Sequence, residues 1–332
     1  MKKSKSKALK LLNLLWIIPL AAVLAFAVMM YVLPAFETAG GGEAEGSADW
    51  MKELDDGMSL ADVTLPGTHD SATQNVQLAF FSKCQSLSVG EQLEAGFRYL
   101  DIRLGEDEDS IKLMHGFTNC LTGGLPWSGT LDLDHVLDEC YAFLDAHPTE
   151  TVVFAAKHEH GDMTDEEFML LLRVYIAKTP EKWLLADTVP TVGEARGKLV
   201  LMRRFAVSSD LPSGLPMFWD DQGGSDDTSL AAARHEQGAY TLIVQDRYEY
   251  AAEDKWTAFT KGMEEGRDGG AVRISFLSTK GTAKYGHPYS FAKTLNAKLM
   301  AEDTASLDGW IIVDFGSAGL AEHIYKANFQ NQ

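Results

Sequence analysis

The chain has 332 residues, of which 29 are basic and 48 acidic, so its formal net charge is −19. With 45% hydrophobic residues, this balance excludes a disordered chain, a collagen-like repeat and a protein that coats nucleic acid. Three cysteines are too few for a disulfide-built scaffold. The composition therefore predicts a globular protein with a sizeable hydrophobic core.

The N-terminal segment predicts a membrane anchor. Residues 1–10 contain five lysines and are followed by an uncharged run over residues 11–36. This run is long enough to cross a bilayer as a helix, and it exceeds the roughly 7 to 15 apolar residues of a cleavable signal peptide. The positive-inside rule places residues 1–10 in the cytoplasm. We predict a single-pass cell-membrane protein with an extracellular folded domain, or a secreted protein if the segment is cleaved.

Residues 37–49 combine glycine, acidic and small residues without a large apolar side chain, which predicts a flexible tether. From residue 50 to residue 332, short β-rich runs alternate with helical periodicity, and no second Gly/Pro-rich linker divides them. We therefore predict one folded domain over residues 50–332.

Eight β-rich runs alternate with helices in this domain. The predicted strands are residues 60–65, 97–104, 111–115, 151–157, 198–203, 240–246, 271–277 and 310–315, and the predicted helices include 131–146, 165–178, 251–265 and 290–301. This alternation predicts an α/β fold, an irregular (β/α)8 TIM-type barrel preceded by a single transmembrane helix. The barrel is irregular because the link between the second and third strands is too short for a helix.

Ionisable side chains follow most of the predicted strands. They are His69, Asp70, Asp101, Arg103, His115, Lys157, Arg203, Asp246, Tyr248 and Asp314. Any one of them has an ordinary explanation as an ion pair at the barrel mouth, but the carboxyl ends of barrel strands also form active sites. Two histidines, an arginine and several carboxylates suit acid–base transfer at a phosphodiester. The set therefore predicts a catalytic rim.

Three motifs carry a family resemblance. Residues 65–71 (LPGTHDS), 96–103 (GFRYLDIR) and 113–116 (LMHG) resemble, in order and spacing, the catalytic core of bacterial phosphatidylinositol-specific phospholipase C. That family shares the X domain with eukaryotic phosphoinositide phospholipases. The resemblance extends from residue 50 to the C-terminus and leaves out only the anchor and the tether.

The resemblance implies catalytic roles for residues of these motifs. His69 corresponds to the general base on the inositol 2-hydroxyl, and Asp314 to the carboxylate that orients it. His115 with Asp70 corresponds to the general acid pair. Arg103, oriented by Asp101, corresponds to the phosphate clamp. The positions implied to bind substrate are Lys157, Arg203, Trp219, Asp221, Asp246 and Tyr248.

The implied reaction is cleavage of phosphatidylinositol, or a related inositol phospholipid in a membrane, to diacylglycerol and inositol 1,2-cyclic phosphate. Attack by a neighbouring hydroxyl is intramolecular and needs no hydrolytic metal. Arg103 takes the place of the calcium ion of the eukaryotic relatives, so we expect no metal and no cofactor. The alternatives are a non-catalytic or differently specific inositol-lipid-binding barrel and another glycerophosphodiester phosphodiesterase.

Other residues that attract attention have simpler explanations. His158 and His160 alternate with Lys157 along a predicted strand, so if Lys157 faces the barrel interior the two histidines face away, which argues against a metal site there. Cys84 and Cys120 flank the catalytic motifs of an exported domain, and a disulfide between them is predicted. The pair Phe80 and Phe81 is compatible with a core position or with contact to a membrane.

Overall fold

A single sheet forms the centre of the computed structural model, which describes residues 16–39, 47–208, 211–223, 233–236, 240–267 and 269–330. Its strands are β1 (Leu65–Thr68), β2 (Tyr99–Asp107), β3 (Ser110–His115), β4 (Thr118–Asn119), β5 (Val152–His160), β6 (Trp183–Leu184), β7 (Leu199–Arg203), β8 (Leu215–Pro216), β9 (Ala233–Glu236), β10 (Thr241–Gln245), β11 (Val272–Phe276) and β12 (Trp310–Val313). The order β7-β5-β2-β1-β12-β11-β10 is parallel throughout. This is the predicted TIM-type arrangement, with the first and last strands paired.

Helices precede, connect and follow these strands. They are α1 (Trp16–Ala35), α2 (Ala79–Ser82), α3 (Val89–Glu94), α4 (Leu133–Ala146), α5 (Asp165–Ile176), α6 (Val192–Ala195), α7 (Ala252–Glu264), α8 (Pro288–Leu299) and α9 (Ala318–Tyr325). At the start of α5, the Thr164 hydroxyl accepts from the Glu167 amide and the Glu167 carboxylate accepts from the Thr164 amide. This capping box satisfies amides that the first helical turn leaves unpaired.

Two predicted strands differ from the structure. Residues 60–62 form a 3-10 turn and the first strand begins only at Leu65. β3 pairs antiparallel with β2 through a two-residue turn, in which Glu108 has a φ of 54°. A parallel barrel strand needs a crossover of a dozen or more residues, so residues 111–115 form a hairpin arm on the barrel instead.

Side-chain alternation along the strands creates two core layers. On β7, Val200 and Met202 belong to the cluster that fills the barrel, whereas Leu199 and Leu201 pack in the layer between sheet and helices. β2 and β5 alternate in the same way. Because residues two apart share a face, the next inward position beyond each strand points into the open end of the barrel.

The N-terminal segment agrees with the prediction in part. α1 has 20 residues with a mean hydropathy of 2.4, enough in length and composition to cross a membrane. Residues 1–15 of the predicted cytoplasmic segment and anchor, and residues 40–46 of the tether, lie outside the described residues. The ends of the predicted tether are not free: Glu37 is buried against the domain, and residues 47–53 form a 3-10 helix that buries Ser47 and Trp50.

The predicted Cys84–Cys120 disulfide is wrong for this structure, because all three cysteines are free, buried thiols. Cys120 packs in the outer core layer. Cys84 lies instead beside the residues that follow β1, with its Sγ 3.8 Å from Oδ2 of Asp70. Both cysteines are close to the same motifs in the sequence, but the fold does not pair their sulfur atoms.

Candidate active site

The inward positions beyond the barrel strands converge on one cavity of about 830 Å³. The residues that line it from these positions are His69 after β1, Arg103 on β2, Lys157 and Glu159 on β5, Arg204 after β7, Asp246 after β10 and Asp314 after β12. Each continues the inward face of its strand. Most of the ionisable residues predicted at the strand ends therefore line a single cavity.

Close packing at the end of β1 sets the position of the first motif. A Cβ on Gly67 would lie 2.4 Å from Cδ1 of Ile312 and 2.8 Å from Cβ of Tyr99, so only glycine fits between β12 and β2. Three residues later the backbone turns sharply, with Asp70 at a φ of 43°. This left-handed conformation is costly for a non-glycine residue and is typical of functional sites. It directs the Asp70 carboxylate underneath the cavity.

His69 is held between carboxylates. Its Nδ1 lies 2.8 Å from Oδ1 of Asp314, and its Nε2 lies 3.3 Å from Oδ2 of Asp70 and 3.0 Å from Nη2 of Arg103. Burial lowers the pKa of His69, but the Asp70 and Asp314 charges outweigh burial and raise the pKa to about 9. When neutral, Nε2 accepts a hydrogen bond from Arg103, and when protonated it donates to Asp70.

His115 lies opposite His69 on the hairpin arm. The two imidazole rings are 6.4 Å apart between centroids. His115 donates through Nδ1 to the carbonyl of Ser82 at 2.8 Å, and the same nitrogen lies 3.4 Å from Oδ2 of Asp70. With Nδ1 occupied, Nε2 is the nitrogen left for a ligand in the cavity. The hairpin that departs from the regular barrel thus supplies the second histidine.

A guanidinium lies beside His69. Arg103 Nε is 2.7 Å from Oδ1 of Asp70, and Nη2 is 3.2 Å from Oδ2 of Asp101. Burial lowers the pKa of Arg103, yet these two carboxylates raise it well above its usual value. For the Asp101 carboxyl the directions are reversed. Burial raises its pKa, but the positive charges of Arg103 and Arg204 together lower it below its usual range. The result is a fixed positive charge that a phosphate in the cavity would meet.

An aromatic and polar wall encloses the other side of the cavity. Trp219 Nε1 donates to Oδ2 of Asp246 at 3.0 Å, and the Tyr248 hydroxyl donates to Asp221. Burial, reinforced by the Asp221 carboxylate, raises the pKa of Tyr248 to about 12, so the phenol stays neutral. Lys157 lines the cavity as well. These groups would donate hydrogen bonds to a ligand rich in hydroxyls and accept hydrogen bonds from it.

The prediction that Arg203 lines the site is wrong by one residue. Arg203 follows Leu201 on the outward face of β7, where its Nη1 donates to the Phe205 carbonyl at 2.9 Å. Arg204 follows Met202 on the inward face and lines the cavity, with Nη1 3.3 Å from Oδ1 of Asp101. Its guanidinium also lies 3.9 Å from the centre of the Trp219 ring. Side chains alternate along β7, and Val200 and Met202 face inward. This alternation is the signal in the sequence that could have identified Arg204.

Glu159 is a second site residue that the sequence did not indicate. Its Oε2 lies 2.6 Å from Nζ of Lys157, and its Oε1 lies 3.4 Å from Nη1 of Arg103. Burial raises its pKa, but Arg103 and Lys157 lower it to about 2, so it is a carboxylate. His158, between Lys157 and Glu159, points outward and stacks on Phe168. The predicted outward direction of His158 is confirmed.

One group of potential metal ligands lies at the site. Atoms of His69, Asp70 and Cys84 lie within 4.8 Å of one another. However, the Asp70 carboxylate already pairs with Arg103. Burial also raises the pKa of Cys84 well above its usual value, which disfavours the thiolate that binds metals. The surroundings of Asp70 therefore suit its ion pair with Arg103 better than a metal ion.

Residues 57–198 match the family model of the PI-PLC X domain, described as PI-PLC X 1. This segment of the chain is similar to a PI-PLC X domain. The matched segment contains His69, Arg103, His115 and Lys157, and the rest of the barrel completes the site with residues such as Asp314. The resemblance inferred from the motifs is confirmed.

Similarity to individual proteins covers most of the chain. A 1-phosphatidylinositol phosphodiesterase of Staphylococcus aureus (strain Newman) is 26% identical over 286 residues, 80% of this chain and 88% of that relative. One of Listeria monocytogenes is 30% identical over 164 residues, 46% and 47% of the two chains. A solved mutant of the Staphylococcus aureus phosphatidylinositol-specific phospholipase C has a TM-score of 0.70 at 23% identity, covering 85% of this chain and 98% of that one. The Listeria monocytogenes enzyme has a TM-score of 0.63 at 20% identity, with coverage of 85% and 98%. These likenesses establish the TIM-type barrel.

Proposed function

We propose that this chain is a phosphatidylinositol-specific phospholipase C that forms diacylglycerol and inositol 1,2-cyclic phosphate without a metal ion. The observation that carries the proposal is the paired arrangement of His69 and His115. Each is oriented through Nδ1, and both line one cavity beside the Arg103 guanidinium. A general base, a general acid and a phosphate clamp are the groups that an internal transfer at a phosphodiester requires.

In the proposed first half of the reaction, the inositol 2-hydroxyl oxygen attacks the phosphorus and its proton passes to Nε2 of His69. Asp314 holds the imidazole with Nε2 toward the cavity and stabilises the imidazolium that forms. Arg103, fixed by Asp70 and Asp101, neutralises the charge that develops on the phosphoryl oxygens. Attack by a group of the same molecule can remove roughly 7 to 11 kcal/mol of the barrier through orientation.

In the second half, the bond from phosphorus to the diacylglycerol oxygen breaks and His115 gives a proton to that oxygen. The Ser82 carbonyl and the Asp70 carboxylate hold the His115 imidazole through Nδ1, which leaves Nε2 toward the cavity. His69 and His115 then hold each other's starting protonation states, so proton exchange with solvent restores the enzyme. Asp70 contacts both histidines and Arg103, which makes it the common support of the reaction.

The polar wall is proposed to select inositol. Lys157, Arg204, Asp246 and Tyr248 surround the space next to the catalytic groups, and Asp221 fixes the Tyr248 hydroxyl. An analogue without ring hydroxyls would lose hydrogen bonds to these partly buried groups, which costs about 0.5 to 1.5 kcal/mol for each bond, or about 1.5 to 3 kcal/mol where the group is charged. A choline headgroup would therefore be a poor substrate.

The test is phosphorus NMR of the full chain in detergent micelles that contain phosphatidylinositol and excess chelator. We expect a five-membered cyclic phosphate to accumulate before any slower hydrolysis. Phosphatidylcholine micelles are the substrate control, and His69→Ala is the catalytic control. Absence of the cyclic product, or complete dependence on added calcium, would contradict the proposal.

We also propose that α1 anchors the enzyme in the cell membrane with the catalytic domain outside. The uncharged 20-residue helix and the lysines of residues 1–10 support this orientation. Full-length protein should remain in the membrane pellet after an alkaline wash. N-terminal sequencing of an exported form that begins near Gly40 would show a cleaved signal peptide instead.

A further inference from the structure

The end of α1 is joined to the catalytic domain by buried charged groups. Lys83 is buried, and its ammonium donates to the carbonyls of Pro34 at 2.7 Å and Glu37 at 3.3 Å. The Glu37 carboxylate is also buried, with Oε1 2.6 Å from Nε2 of His287. Two residues further on, the Ala39 amide donates to Oγ of Ser86 at 2.9 Å. These contacts bind the chain on the C-terminal side of α1 to the domain surface.

The segments that receive the anchor also form a wall of the active-site cavity. Phe80 stacks on His287 with ring centroids 4.1 Å apart, while the adjacent Phe81 lines the cavity and lies 6.0 Å from the Tyr285 ring. Ser82, next to Lys83, supplies the carbonyl that orients His115. The anchor contacts and the catalytic cavity therefore lie on two sides of the same short segments, 78–83 and 284–288.

Exposed aromatic side chains surround this junction. Phe36 at the end of α1 is 77% exposed, and Phe117 and Tyr285 at the cavity rim are 66% and 54% exposed. Lys284, whose Nζ lies 5.2 Å from the Tyr285 ring, lines the cavity too. Aromatic and basic residues of this kind are enriched where a protein meets the interfacial region of a bilayer. The aromatic and basic groups of this rim would therefore favour contact with a membrane surface, although the chain as a whole is acidic.

We propose that the outer end of α1 is docked beside the cavity mouth, so that the mouth faces the membrane that holds the anchor and the enzyme cleaves lipid of that same membrane. The inference rests on the proposed phospholipase activity and membrane anchoring. In this arrangement the anchor orients the active site as well as retaining the protein. A freely tethered domain would stay near the same membrane but would turn its cavity mouth toward that membrane only part of the time.

Cysteine cross-linking tests the docking without reference to activity. The contact between the Ala39 amide and Ser86 Oγ limits the separation of the two Cα atoms to about 7 Å, within reach of a disulfide. We expect Ala39→Cys with Ser86→Cys to oxidise readily in full-length protein in membranes. The control pair is Ala39→Cys with Lys326→Cys. Lys326 follows Tyr325, which stacks on Trp50 at the amino ends of the barrel strands. An equal rate for both pairs would overturn the docking.

Variants of Glu37 in the Ala39→Cys/Ser86→Cys protein test what maintains the contact. Glu37→Ala removes the hydrogen bond to His287, and we expect it to slow disulfide formation about tenfold or more. Glu37→Gln keeps a hydrogen-bonding group and should restore most of the rate. Glu322→Ala removes a carboxylate that pairs with Lys326 and should have no effect. Equal rates for Glu37→Ala and Glu322→Ala would contradict the proposed clamp.

Proteoliposomes test the consequence for catalysis. Wild-type protein should cleave phosphatidylinositol in its own vesicles at least about tenfold faster than in added protein-free vesicles, because the anchor raises the effective concentration of substrate and docking keeps the cavity mouth turned toward it. Glu37→Ala should reduce the own-vesicle rate and leave the cleavage of a soluble inositol nitrophenyl phosphate unchanged. Equal rates on both vesicle populations would overturn the orientation. If wild type fails on the soluble substrate, the proposed activity fails, whereas rapid disulfide formation in that protein still supports docking.

Discussion

The Nδ1 atom of His69 lies 2.8 Å from Oδ1 of Asp314, although the two residues are 245 positions apart in the chain. β1 and β12 pair in parallel, from Leu65 with Trp310 to Thr68 with Val313. The residues that follow the two strands therefore meet at one end of the barrel. The proposed base and its orienting carboxylate are assembled only when the last strand joins the first.

The first prediction concerns the pH dependence of this pair. Asp70 and Asp314 favour the imidazolium and raise the pKa of His69 to about 9. A general base acts when deprotonated, so kcat/KM on a soluble substrate should rise with pH until about 9. Asp314→Asn removes a charge that raises this pKa, so the acidic limb should move to lower pH. The plateau should also fall by roughly 10²- to 10⁴-fold, because the imidazole loses its orienting partner.

Full pH–rate profiles of wild type and Asp314→Asn provide the measurement. Asp308→Asn is a suitable control, since Asp308 pairs with Arg273 and Arg267 outside the cavity. An acidic limb that stays in place in Asp314→Asn would exclude His69 as the group that titrates.

The second prediction separates the two histidines by leaving group. His115 is proposed to protonate the diacylglycerol oxygen, but a nitrophenolate leaves without a proton. His115→Ala should lose about 10²- to 10⁴-fold on phosphatidylinositol and recover most of that loss on an inositol nitrophenyl phosphate. His69→Ala should be inactive on both, because the 2-hydroxyl must be deprotonated in each case. If only His69→Ala recovers, the two roles must be exchanged.

The third prediction compares two adjacent arginines. Arg204 lines the cavity, whereas Arg203 lies on the outward face of the same strand. Arg204→Ala should lower kcat/KM for phosphatidylinositol by about 10- to 150-fold, the range expected for a lost hydrogen bond to a charged group. Arg203→Ala should change kcat/KM by less than about threefold. Its main effect should be on thermal stability. The opposite ranking in steady-state assays of folded protein would refute the assignment.

The fourth prediction concerns the packing beneath the site. Gly67→Ala would place a methyl group 2.4 Å from Cδ1 of Ile312, and relief of this clash should cost about 1 to 3 kcal/mol of the free energy of unfolding. Gly266→Ala is the matched control, because a Cβ there meets no atom within 4 Å. Urea unfolding of both variants measures the difference. Equal midpoints would show that the barrel absorbs the methyl group at this position.

Local patterns in the sequence were enough to predict the candidate catalytic motifs and the N-terminal helix. The motif around His69, the motif ending at Arg103 and the position of His115 pointed to the candidate catalytic groups. The uncharged run of residues 11–36 identified α1. These features depend on residue type and on spacing within a few turns or strands, so they are legible without knowledge of distant contacts.

Tertiary structure decided which neighbouring side chain faces the site and what the connecting segments do. Arg203 and Arg204 are adjacent and chemically identical, and only the register of β7 in the barrel places Arg204 inward. Residues 37–39 have the composition of a tether, yet Lys83 and His287 provide partners for them from far along the chain. Composition reports the average solubility of a segment, whereas burial of a particular charge depends on a complementary group that only the folded chain brings beside it.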